Sequence, residues 1–594
     1  MLLKKNFSFY LQKFYPQLLI VGFILLVYIQ NIWFDFAYLD DNLIVFAEYE
    51  KIDSLSKIPQ SFLSGYLLDN YYRPMIMISF IIDTAIAGQS SAMYHLTNII
   101  IHIIFCLVLY HFLLKLNFDS KISLIVTIIF SIHPINVNAI SWIVGRNDLI
   151  AGLFSLISIY SFILYYQRNN ISYLLAHLFF FLLALFSKEF AIIIPLVIFA
   201  YVSLINSEEL RFNRKYIPFI ISWAIVVSIY LYTRLLLAQI HSQNNISIKT
   251  LLGNLYIISE YIAKLFYLPG IIPLSVKSDL LIILGIIFIL ILIFILFVFK
   301  LNKDRRVIFG LIFFVAFLIP PLLISLRSKD GSVVYLDCRV YLPLIGLVIL
   351  LAAILEKVNL KNKTNLLGLI TVVLILSLFS FFKSKDYSNG ERFWSSVTKE
   401  FPNSPYNWIG FGFYYYDKGQ YLKAAQLAER AIELNPTVDP EFYHKAALAY
   451  KNAGQLNKAN EHLKSALNLE KDKSITLVEL IKNSLLLGNF SEAIKYLYQF
   501  KELEILDLKK KADLYSSLAY YFSYSGLMEY SVELMKQAII YQPKNSTYLN
   551  DLGVFYYNTG KIDSAKHFFY EALKLDPLNV DFQRNVNGLK NLTQ

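Results

Sequence analysis

The chain has 594 residues, 57% of them hydrophobic and only 16% charged, with a formal charge of +11. That balance excludes an ordinary soluble enzyme, because the apolar residues fall in long uninterrupted runs such as 281–298, 307–326 and 366–382, each long enough to cross a hydrocarbon core about 30 Å thick. From Glu391 onward 24 basic residues face 23 acidic ones, which leaves +10 to the apolar half and reads as membrane topology, with no nucleic-acid partner.

In chain order the hydropathy predicts an all-α protein with about eleven spans: 17–33, 95–114, 121–134, 149–166, 171–186, 189–205, 217–233, 280–299, 307–326, 340–355 and 365–382. The first follows Lys4, Lys5 and Lys13 and lacks a small-residue cleavage site, so it is expected to be retained. With the N-terminus inside, the basic connections fall in the cytoplasm: Lys115 and Lys121; Arg168; Arg211, Arg214 and Lys215; Lys300 to Arg306; Lys357 to Lys363. The longer connections 34–94 and 234–279, and everything after Phe382, are then expected outside. Within them, Tyr72 to Ala87 and Leu251 to Tyr267 read as helices lying along the membrane surface. Cys106 sits in an apolar run and Cys338 in a polar loop, so no disulfide is expected.

Beyond residue 390 the character changes, giving an expected membrane domain over 1–390 and a second domain over 391–594. Glycines recur there at Gly419, Gly454, Gly488, Gly526 and Gly560, the period of about 34 residues that marks tetratricopeptide repeats. The first unit carries Trp408, Gly412, Tyr415, Ala424, Ala431 and Pro436, and the fifth Gly553, Tyr556, Ala565, Phe569, Ala572 and Pro577. The third departs, with Phe500 where a small residue is expected, and the fourth starts late after Lys509, Lys510 and Lys511. Such solenoids present a concave face to peptides or partner proteins, or serve as assembly platforms.

Polar residues that bilayer packing does not explain gather at the expected outer ends of the spans. Asp40 and Asp41 follow the first span, and a carboxylate there can take the proton of an attacking hydroxyl. With them go Tyr72-Arg73-Pro74, the Tyr94-His95 to Asn98 stretch, His133 to Asp148, Lys188-Glu189 and Arg339 to Pro343. The ordered motifs LDD, YRP, YHLTN, IHPINVNAISWIVGRNDLIAGLF, SKE and RVYLP, with the repeats behind them, resemble the transmembrane and tetratricopeptide-repeat O-mannosyltransferases, members of the GT-C superfamily. The resemblance implies a polyprenyl-phosphate-linked sugar as donor. It also implies a catalytic acid in the first outer loop, which maps onto Asp40 and Asp41, with Asp41 slightly favoured as base.

A departing lipid phosphate needs fixed cations, for which Arg339, Arg73, Lys188 and Arg146 are the candidates, Arg339 foremost. Glu189 is either a second acid at the acceptor site or an ion-pair partner of Lys188. His133 and Asp148 are expected to pair across a short loop. His95 and His102 share a helical face without a third ligand, so no metal site is assigned, and a divalent ion stays open. The absence of a nucleotide-type glycine loop fits a lipid-linked donor.

The function expected is transfer of a sugar to a hydroxyl, as on Ser or Thr of a protein, at the outer or lumenal face. The same chemistry on a glycolipid or cell-wall polymer, and a non-catalytic scaffold, are the alternatives. The membrane is the plasma membrane of a bacterium or the endoplasmic reticulum of a eukaryote. Sequons at Asn245, Asn489 and Asn591 do not decide between them.

Overall fold

A computed structural model describes residues 2–67, 71–205, 216–236, 247–270, 273–323, 334–437 and 439–592. Arg211, Arg214, Lys215 and Asn245 lie outside the described residues. The chain divides into two compact units, Met1–Pro402 and Asn403–Gln594.

Among the described residues unit one consists of helices and their connections, with a two-residue antiparallel ladder, Ser275 opposite Tyr335 and Val276 opposite Val334, and an isolated bridge between Tyr66 and Tyr71. Each of the eleven predicted spans falls mainly on helix in its described residues, but the helices are not equally long. Seven helices among the described residues are long and apolar enough to cross a membrane: Phe14–Trp33, Ser91–Lys115, Ile143–Arg168, Ile217–Leu236, Asp279–Val298, Arg305–Leu322 and Lys363–Tyr387. An eighth is counted if Ser120–Ser131 and Pro134–Ser141, bent by 51°, form one span. The break falls at His133-Pro134, where proline lacks the amide that would continue the helix. The other three, Ile171–Leu185, Glu189–Leu204 and Leu344–Leu355, are shorter. At 1.5 Å per residue these reach roughly 18–24 Å, less than the hydrocarbon thickness. Continuous apolar sequence conceals such interruptions, which accounts for the larger count expected.

The helix Arg146–Arg168 is the centre of this unit, buried along most of its length and packed against Ser91–Lys115 and Ile171–Leu185. The helices Arg305–Leu322 and Leu344–Leu355 cross at Gly310 and Gly346. A Cβ on either glycine would lie within 2.6 Å of the other's carbonyl oxygen, so small residues set the approach. The stretch expected along the membrane surface forms the helix Pro74–Ala87, which buries Ile76, Met77, Phe80 and Asp83.

Unit two is a run of five helix pairs: Pro405–Asp417 with Tyr421–Leu434, Pro440–Asn452 with Leu456–Leu469, Ser474–Leu486 with Phe490–Lys501, Leu508–Tyr524 with Met528–Tyr541, and Ser546–Asn558 with Ile562–Leu575. A further helix, Val580–Leu592, follows them. The five recurring glycines stand between the members of each pair at φ of +73° to +78°, a conformation that side-chain-bearing residues resist. Ala424, Ala431, Ala459, Ala466, Ala538, Ala565 and Ala572 are buried where paired helices approach. In the third pair Phe500, 1% exposed, packs on Tyr515 and fills the space a small residue would leave to its neighbour.

Candidate active site

The loop after the first span is organised around Asp41. Its carboxylate is fully buried and accepts three backbone N–H groups: Ala37 at 2.6 Å and Tyr38 at 3.3 Å on Oδ2, Leu39 at 3.1 Å on Oδ1. Tyr38 takes a left-handed conformation, φ +58°, to bring these amides round. Burial raises the Asp41 pKa and the amides oppose that rise. Asp40 is partly exposed, and its carboxylate has no hydrogen-bond or ion-pair partner among the described residues. Burial, with the charge of Asp41 beside it, pushes the Asp40 pKa up to about 6. The two neighbours thus differ in kind: one builds the turn and the other is available.

The four candidate cations separate in the same way. Arg146 is completely buried and held by several partners. It pairs with Asp83 at 2.8 Å, donates to Asn98 Oδ1 at 3.1 Å, Tyr94 O at 2.8 Å and Ser79 Oγ at 3.3 Å, and lies 4.2 Å from the Phe80 ring centre. Most of this guanidinium's N–H groups are thus committed inside the fold, in a buried ion pair and its hydrogen bonds. Gly145 just before it approaches the chain so closely that a Cβ would lie 2.5 Å from the Ala139 carbonyl oxygen. Arg73 pairs with Glu189 at 3.2 Å, and Lys188 with Asp148 at 2.6 Å. Glu189 therefore pairs with Arg73 instead of its sequence neighbour Lys188. Consecutive residues entering a helix point apart, and each finds a partner from another segment.

Arg339 is the exception. It is partly buried, has no ion-pair partner among the described residues, and its Nη1 is buried without a hydrogen bond. It sits on the short 3-10 turn Asp337–Val340. Two contacts hold that turn. Asp337 accepts from the fully buried Lys264 at 2.6 Å, which also reaches Ser275 at 2.5 Å. Cys338 N donates to Asn138 Oδ1 at 3.0 Å, while the same Asn138 amide donates to Pro273 O and Tyr387 Oη. The charges of Asp148, Lys188 and Arg339 all act on Cys338, whose thiol is pushed up by burial. Likewise Tyr66, raised by burial, is acted on by Arg73, Asp40 and Arg146. Tyr66 thus lies near Asp40, Arg73 and Arg146, and Cys338 near Asp148, Lys188 and Arg339.

The expected His133 to Asp148 pair does not form. His133 Nε2 meets Leu265 O at 3.2 Å and its Nδ1 accepts from Ile135 N, whereas Asp148 belongs to Lys188. His102 is bound to Tyr341 Oη at 2.7 Å and Ser131 O at 3.0 Å, and His95 approaches Asp35 O at 3.4 Å. Among the described residues no group of three metal-ligating side chains is assembled.

Sequence reasoning missed Asp83, Lys264, Asp337 and Tyr66. The first two carried a signal, since a lone charge within an apolar segment needs a buried partner. Tyr66 carried none.

Comparison with known proteins accords with this architecture. Residues 73–239 match the family model described as dolichyl-phosphate-mannose-protein mannosyltransferase, and residues 440–473 and 546–577 match the tetratricopeptide repeat. Protein O-mannosyl-transferase TMTC1 of Mus musculus is 31% identical over 99 residues, 16% of this chain and 10% of the relative. Protein O-mannosyl-transferase TMTC3 of Homo sapiens is 32% identical over 91 residues, 15% of this chain and 10% of the relative. Protein O-mannosyl-transferase tmtc2 of Xenopus laevis is 33% identical over 146 residues, covering 23% and 17% respectively. The similarity thus spans between 10% and 17% of those relatives' own length. Among solved structures, YrrB, a tetratricopeptide protein with an unusual peptide-binding site, aligns at 15% identity and a TM-score of 0.26, covering 32% of this chain and 96% of that one. MamA aligns at 21% identity and a TM-score of 0.25, covering 29% and 92%.

Proposed function

Starting from a chain with a mannosyltransferase-type segment in a multi-pass helical unit and tetratricopeptide repeats behind it, we propose that it moves a sugar from a polyprenyl-phosphate donor to a hydroxyl of a protein, as on Ser or Thr, at the outer or lumenal face. The observation that carries the reading is the contrast in pairing. Of the acids and bases singled out from sequence, Asp40 and Arg339 keep an unpartnered charged group, one anionic and one cationic.

In this reading Asp40 takes the proton from the acceptor hydroxyl as its oxygen bonds to the anomeric carbon. The bond from that carbon to the phosphate oxygen breaks, the electron pair leaves with the lipid phosphate, and Arg339 meets the charge. Displacement from the opposite face inverts the anomeric centre. Asp41 shapes the loop that presents Asp40, which exchanges the roles expected from sequence. The repeats select or hold the protein acceptor.

The test is a transfer assay with the purified full chain and dolichyl-phosphate mannose among a panel of polyprenyl-phosphate sugars. Asp40→Asn is expected to lower kcat by about 100-fold or more, the usual size of a general-base contribution. Full activity in that variant would remove Asp40 as base, and a wild type that turns over no donor would favour the scaffold reading.

A further inference from the structure

The last span of unit one runs into a short turn, Lys385–Tyr387, and then into the helix Gly390–Glu400. Asn389 caps that helix by accepting from Arg392 N, and Gly390, Phe393, Trp394, Val397 and Thr398 recur at helical spacing as its buried face. The rings of Tyr387, Phe393 and Trp394 pack in succession, with centres 5.6 and 5.2 Å apart, and all three are buried. Apolar burial accounts for the rings but not for what their polar atoms reach. Trp394 Nε1 donates to Tyr38 O at 3.3 Å, and Tyr387 Oη accepts from Asn138 Nδ2 at 2.7 Å. Between them, Ser388 O accepts from Asp35 N at 2.8 Å.

These bonds reach both turns of the candidate site. The oxygen of Tyr38 and the N–H of Leu39 belong to one peptide plane. Trp394 binds that oxygen, and Asp41 Oδ1 takes that N–H at 3.1 Å, so the plane just before Asp40 is gripped from both sides. Tyr38 is left-handed, and a side-chain-bearing residue keeps that conformation only where its surroundings over-determine it. Asp41 supplies one half of the grip, and the indole, which can only donate, supplies the other. At the second turn, Tyr387 and Pro273 accept at the Nδ2 end of the Asn138 amide, which keeps Oδ1 on Cys338 N, the residue before Arg339. Displacing a reacting group by about 1 Å costs up to about 100-fold in rate, so the hold on each turn matters to the chemistry. We propose that Trp394 and Tyr387 are positioning residues for the transfer reaction, Trp394 for the turn that carries Asp40 and Tyr387, through Asn138, for the turn that carries Arg339. The stretch 385–400 thereby sets the base in register with the phosphate contact. The assignment rests on the glycosyl-transfer reading above.

The test measures two quantities on the purified full chain: kcat with dolichyl-phosphate mannose, or the sugar of the panel that wild type turns over best, and equilibrium binding of dolichyl phosphate. Trp394→Phe and Tyr387→Phe each keep a buried ring and remove one polar atom. Trp394→Phe is expected to lower kcat about tenfold and to leave dolichyl phosphate binding unchanged, whereas Tyr387→Phe is expected to weaken dolichyl phosphate about tenfold. Val397→Ala, on the same buried face, shows what lost packing alone does: a lower thermal midpoint with neither selective loss. Equal losses of rate and affinity in either Phe variant, or wild-type values in a folded one, would overturn the positioning role. Hydrogen exchange of wild type decides if a variant fails to fold. The amides of Leu39 and Cys338 are expected to be protected, and free exchange at either overturns the assignment. An active wild type whose variants show no such split overturns the assignment alone. One that turns over no donor overturns the transfer reading with it.

Discussion

A carboxyl group with a pKa near 6 is mostly protonated in mildly acidic medium, and a protonated acid cannot accept the proton of an attacking hydroxyl. Because burial and the Asp41 charge raise the Asp40 pKa to about 6, the rate of transfer should fall below that pH and level off above it. The expected profile of kcat/KM is a tenfold loss per unit of pH on the acid side, with its midpoint near 6. An ordinary exposed aspartate would place the midpoint about two units lower, so the measurement separates the two. At this scale the sequence was legible only as far as the pair. Asp40 and Asp41 are chemically identical, and what distinguishes them is that the amides of Ala37, Tyr38 and Leu39 curl back onto Asp41. That depends on the left-handed turn at Tyr38, for which no glycine or asparagine gave notice.

Among elements, the buried Arg146 to Asp83 pair joins the start of the central helix to Pro74–Ala87, and Thr97 donates to the same aspartate at 2.7 Å. Removing one member leaves the other charged, desolvated and alone. Asp83→Ala is therefore expected to cost about 3–5 kcal/mol, read as a marked fall in the thermal midpoint of the detergent-solubilised protein. Replacing both members by apolar residues of similar size should recover most of that loss. The helices themselves were legible because apolar runs announce them, and the repeats because glycine and alanine recur in register. Partner choice was not. Lys188 meets Asp148 from 40 positions away and Arg73 meets Glu189 from 116, and nothing in local spacing encodes either distance. The lengths of the short helices were hidden for a related reason, since an apolar sequence continues through Pro134 and Pro195 while the helix geometry does not.

For the whole molecule, the division at Pro402 and Asn403 gives unit two its own core, built from Tyr450, Leu480, Leu518, Phe522, Leu552 and their neighbours. Residues 403–594 expressed alone are expected to give a soluble, highly helical protein that unfolds in a cooperative transition followed by circular dichroism. Failure to fold would mean that the repeats depend on the membrane unit for stability. Unit one has a different dependence, and it lies in Asn138. That single amide is joined to Pro273, Cys338 and Tyr387, each more than 100 residues further along the chain. A ribosome delivers these one after another, so the turn bearing Arg339 has its full set of supports only once residue 387 has emerged. The corner that bears Arg339 is thus among the last parts of this unit to mature, and a nascent chain halted before that point would hold most of its spans without the finished turn.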